Sequence, residues 1–147
     1  PNRRTMQNYL SNINGGINNY IEMPDQKLRQ LQYEADTWKR LLGFMMEENI
    51  HLKNRVSEIL RKDFDRNYLE EIADFQNRFI NADQLISLLR HKVAELDELM
   101  EREIIDDAHL PKMIQNKLNQ VRANISNAER KFSKLKRAFN HYILEYM

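Results

Sequence analysis

The sequence contains no cysteine, only three glycines and three prolines, and no long uncharged apolar run. Without cysteine there is neither a disulfide framework nor a thiolate metal site, and a reducing, cytoplasmic setting is the expectation. So few glycines and prolines leave little chain for turns, which argues against sandwiches and barrels and in favour of long helices. No stretch of about 18 uncharged apolar residues occurs, so none of the chain reads as a membrane-spanning helix. The chain begins at Pro1 rather than at Met, which allows for an upstream segment or targeting signal.

What the chain does have is charge and apolar residues in a regular order. Of 147 residues, 31% are charged and 41% hydrophobic, enough for one core at about one domain's length. The first 24 residues differ from the rest: six asparagines and the Asn14-Gly15-Gly16 triplet make an unfavourable helix interior. This stretch reads as an N-terminal arm, whose apolar residues, Ile17 and Ile21 among them, need cover from the bundle or from a second subunit.

From Pro24-Asp25 onward the apolar residues recur at alternating spacings of three and four. The first seam is Leu28, Leu31, Ala35, Trp38, Leu42, Met45, Leu52, Val56 and Ile59, on a helix over about 25–62. Asp63-Phe64-Asp65 then supplies turn and cap residues. The second seam, on a helix over about 66–107, is Ile72, Phe75, Phe79, Ala82, Ile86, Leu89, Val93, Leu96 and Met100. Its register passes unbroken through Asn81-Ala82-Asp83, so one continuous helix is expected. Pro111 is suited to open a third helix, since the first turn has no use for its missing N–H. That helix, over about 111–146, carries Leu118, Val121, Ile125, Ala128, Phe132, Leu135, Phe139, Tyr142 and Tyr146.

Three helices joined by connections of a few residues must run antiparallel to their neighbours. The expected fold is therefore all-α: an antiparallel three-helix bundle, elongated and coiled-coil-like, with an N-terminal arm. In outline it resembles the three-helix coiled coils of spectrin-type repeats, a resemblance of architecture alone. No second copy of the unit is present.

The net charge of +1 conceals an asymmetry. Residues 66–107 hold five basic and eleven acidic residues, net −6, and residues 108–147 hold eight basic and two acidic, net +6. In the register of a hairpin centred near residue 109, Asp97 is expected to face Arg122 and Asp83 to face Lys136, where opposite charges beside the seam set register and orientation. Lys117 and Lys131, also beside the third seam, are likewise expected to be answered by the second helix. Lys112, Arg130, Lys134 and Arg137 remain as a candidate basic face for nucleic acid or an anionic membrane.

Catalytic and metal signals are weak. Glu48 and His51 match the Glu-x-x-His spacing of di-iron bundles, but no second copy of that motif exists, and the register puts Glu48 beside the seam and His51 outside it. Gly15-Gly16 lacks the Lys-Ser/Thr of a phosphate loop. No catalytic residue, metal ligand, cofactor or small-molecule substrate is assigned, and the expected role is non-enzymatic.

Two seam positions are polar. Glu103 falls near a helix end. Asn49 falls mid-seam, where one buried amide in a heptad core commonly fixes register or oligomeric state. Apolar residues also lie outside the seams, and of these Phe44, Ile50 and Leu88 form the candidate interface. The expected function is that of a self-associating helical protein–protein interaction or scaffold module. Its partner would be a second copy, giving a homodimer, or another helical protein. Nucleic-acid or membrane binding through the third helix is the alternative.

Overall fold

The structure, a computed structural model, describes residues 16–62, 65–103 and 111–146, with the side chains of 16–26 and of Glu103 excepted. The rest of the expected arm (1–15), the Asp63-Phe64 part of the first turn and the connection at 104–110 lie outside the described residues. The described chain forms three helices and no strand: α1 (Gly16–Lys62), α2 (Arg66–Glu103) and α3 (Lys112–Tyr146). They pack as an antiparallel three-helix bundle, and no described helix is long and apolar enough to cross a membrane.

One boundary differs from expectation. α1 begins at Gly16 rather than at Asp25 and continues through Pro24, although proline cannot donate to the carbonyl one turn earlier. The physical reason is visible in the spacing. Ile17, Ile21, Pro24 and Leu28 extend the seam backward in the same three-and-four register. A continuing apolar stripe outweighs the poor helix propensity of asparagine. α2 is continuous across Asn81-Ala82-Asp83 as expected.

The starts of α2 and α3 follow local chemistry. Asp65 caps α2: its Oδ1 accepts from the Asn67 N–H at 2.9 Å, and its carbonyl accepts from Tyr68 and Leu69. Pro111 stands just ahead of α3, its carbonyl accepting from Ile114 and Gln115 at 3.0 Å.

The chain divides into two compact units, each taking a length of all three helices: Pro1–Lys39 with His91–Arg122, and Arg40–Arg90 with Ala123–Met147. In the first unit the buried apolar residues are Ala35, Trp38, Val93, Leu96, Met100, Ile114, Leu118 and Val121. In the second they include Leu42, Met45, Leu52, Val56, Ile72, Phe75, Phe79, Ile86, Leu89, Phe132 and Phe139. Aromatic rings tie α2 to α3 in this unit. Phe139 meets Phe75 and Phe79 edge-on, each with ring centroids 5.2 Å apart, and Tyr142 stacks on toward Phe75 and Tyr146.

Gly43 lies inside α1, and a Cβ added there would meet no atom within 4 Å. Gly43→Ala is therefore expected to raise the unfolding free energy by about 0.5–1 kcal/mol, read by urea titration, because it removes backbone entropy from the unfolded chain without a clash.

Candidate interaction surface

Written as a heptad abcdefg with the seam at a and d, the charged residues beside the seam fall on e and g. In the first unit Arg122, an e residue of α3, forks onto Glu34, a g residue of α1, with Nε and Nη2 at 2.8 and 2.7 Å from the two carboxylate oxygens. Arg122 also reaches Asn119 Oδ1 at 2.9 Å and lies over the Trp38 ring, 5.9 Å from its centroid. Lys39 of α1 donates to Asp97 of α2. The second unit has the same arrangement two heptads along each helix: Lys136 to Glu48 at 2.7 Å, and Lys53 to Asp83 at 3.0 Å.

The expected α2–α3 pairs are thus corrected. The four residues named for them are all engaged, but Asp97, Arg122, Asp83 and Lys136 each find a partner on α1. Geometry decides this. A helix in a three-membered bundle turns its e edge to one neighbour and its g edge to the other. Antiparallel α1 and α2 set e against e, while parallel α1 and α3 set g against e, so α2 and α3 are left to meet through their g edges. The hydrogen bond to Glu34 raises the pKa of Arg122 above the ordinary arginine value, and that to Asp97 raises the pKa of Lys39. These pairs are partly exposed, so each contributes only ~0.2–1 kcal/mol and selects register more than it stabilises.

Lys117 and Lys131 occupy g positions of α3. Neither has an acidic partner among the described residues, against the expectation that α2 answers them. Lys112, Arg130, Lys134 and Arg137 are exposed, with Arg130 near Ser126 Oγ and Asn127 Oδ1 on its own helix at 3.5 and 3.4 Å.

Asn49 is fully buried. Its Nδ2 donates to the Phe79 carbonyl at 2.9 Å, while Oδ1 has no hydrogen-bond partner. Glu48 and His51, the spacing considered for a metal, diverge: Glu48 is drawn to Lys136 and His51 is exposed. Among the described residues no group of three His, Asp or Glu side chains is arranged to hold a metal ion.

The candidate interface residues are all exposed: Phe44 at 69%, Ile50 at 45% and Leu88 at 50%. They do not share one face. Phe44 lies one turn before Glu48 and so borders the α3 side of α1. Ile50 lies three residues before Lys53 and borders the α2 side. Leu88, at position c of α2, neighbours the g residue Leu85 on the side toward α3.

Sequence reasoning alone did not find the cleft between α2 and α3 in the second unit. It measures about 190 Å3 and is lined by Met45, Arg78, Asn81, Ala82, Leu85, Ile86, Ala128, Lys131, Phe132 and Leu135. Ala82 and Ala128 hold seam positions that elsewhere on these helices carry mostly Phe, Ile, Leu or Val, and their small side chains leave the space. One alanine in each of the two seams is the signal that was present.

No protein-family model matches this chain, and neither the curated proteins nor the solved structures contain a match to it.

Proposed function

We propose that this chain is a non-enzymatic helical module that acts by protein–protein contact and associates with itself. The observation that supports this is the placement of apolar side chains the core does not use. Of the nine large exposed ones among the described residues, Tyr33 and Met113 belong to the first unit, and Phe44, Ile50, Ile80, Leu85, Leu88, Leu144 and Tyr146 to the second. Leu85 lines the open cleft of the second unit and exposed Leu88 adjoins it, the kind of apolar surface that proteins cover with one another.

Solution mass by light scattering with size-exclusion chromatography, over a concentration series, tests self-association. A mass near twice 17.8 kDa is expected. Because Phe44, Ile50 and Leu88 lie on three different flanks, Phe44→Asp, Ile50→Asp and Leu88→Asp are made singly. At least one is expected to abolish assembly while helicity by circular dichroism is retained. A monomer at every concentration rules self-association out.

A second reading has its own support. Arg130, Lys134 and Arg137 follow one another at helical spacing on the exposed face of α3, in reach of a polyanion such as nucleic acid or an anionic membrane.

A further inference from the structure

Ion pairs close two of the bundle's three grooves, those that α1 forms with α2 and with α3. The α2–α3 groove is different. In the second unit its g edges carry Arg78 and Leu85 on α2 and Lys131 on α3, around the apolar cleft. Arg78 is matched within its own helix by Asp74 at 2.9 Å, and Lys131 has no acidic partner among the described residues. Lys134 stands one turn beyond Lys131, and exposed Leu88 extends the apolar bank beside Leu85. The result is an apolar floor and α2 bank facing a cationic bank of Lys131 and Lys134 on α3.

We propose that this groove docks an acidic amphipathic helix of a partner protein, which lays aliphatic side chains into the cleft and sets carboxylates against Lys131 and Lys134. Size argues for a helix over a small molecule. At about 190 Å3 the cleft is below the ~300 Å3 at which small-molecule sites begin, while helix-in-groove binding needs room only for anchor side chains spaced by a turn. Charge argues against a second copy seated here with its two-fold axis near Lys131, because residues at the axis meet their own copies and Lys131 and Lys134 would face like charge. Nucleic acid is disfavoured by the lining, whose one aromatic ring, Phe132, is buried and offers no stacking platform. The proposal rests on the reading of the chain as a protein-contact module, but not on self-association.

The test uses the full chain and fluorescence anisotropy with three probes: a stapled helical peptide with leucines on one face and glutamates on the other, the same peptide with lysine for glutamate, and a single-stranded oligonucleotide. The acidic peptide is expected to bind, more weakly at high salt, and the lysine peptide not to bind. Leu85→Glu and Lys131→Glu, both at exposed positions, are each expected to weaken the acidic peptide roughly tenfold or more, with Lys131→Gln intermediate. Thermal midpoints confirm that the variants fold. Absence of acidic-peptide binding, equal binding of the two peptides, or tighter oligonucleotide binding indifferent to Leu85→Glu overturns the proposal. A monomer that binds the acidic peptide removes self-association and leaves this groove assignment standing. An assembling protein that ignores the peptide does the reverse.

Discussion

Alanine in place of Phe139 is expected to lower the unfolding free energy by about 3–5 kcal/mol, the range for emptying a buried aromatic site. Phe139 has no solvent exposure and touches two rings of α2, Phe75 and Phe79, the second at an interplanar angle of 88°. Edge-to-face contacts of this kind add to the area term, and the rings around the void cannot collapse into it without leaving each other. A loss of that size shifts the thermal midpoint by on the order of 10 °C in a chain of this length. Urea titration and a thermal melt measure it, with Tyr146→Ala as comparison. Tyr146 is 50% exposed at the rim of the same ring cluster and is expected to cost far less. Equal losses at the two positions would mean that the rings are not packed as described.

Asn49→Leu is expected to act in the opposite direction, raising the unfolding free energy by about 1–3 kcal/mol. Asparagine and leucine have the same branching and the same number of side-chain heavy atoms, so the exchange is chiefly one of polarity. The native amide makes one bond, to the Phe79 carbonyl, and leaves Oδ1 buried without a partner. That carbonyl sits within α2, where it also serves the helix's own ladder, so losing Nδ2 does not strand it. Denaturant titration gives the sign. The stabilised variant is also expected to lose specificity, since a polar residue in the seam penalises registers and oligomers that leave it unmatched. Mass heterogeneity in light scattering would register that loss. A destabilised Asn49→Leu would mean that the single Asn49–Phe79 bond outweighs the orphaned oxygen.

Most of the core was legible as periodicity. Every seam residue from Ala35 to Val56 is buried, as are all those of α2 except half-buried Ala82. The departures have local causes. Ile114 is buried in register four residues ahead of Leu118, so the third seam begins one position earlier than the expected one. At the other end of α3, Ile143 is buried while Tyr142 is half-buried and Tyr146 half-exposed. A helix of 3.6 residues per turn drifts by ~20° per heptad against a 3.5-residue repeat, so a seam extrapolated over several heptads slides off its face. The early start of α1 follows the same period, since Ile17 and Ile21 stand in register with Leu28 despite the asparagines between them.

The charged residues divide differently. Which side chains flank a seam is a property of one helix and its period, and so Asp83, Asp97, Arg122 and Lys136 could be picked out before any fold was known. Which neighbour each flank meets is a property of three helices at once. It depends on where the third helix lies relative to the first two, and that placement gave α1 both sets of ion pairs and left Lys117 and Lys131, on the α2–α3 edge, without acidic partners among the described residues. The same holds for the unsatisfied Oδ1 of Asn49 and for the space over Ala82 and Ala128, which exist only once facing side chains are in place. Periodicity is encoded along the chain, residue by residue, whereas complementarity is encoded between segments roughly 30 to 90 residues apart, where no local pattern records it.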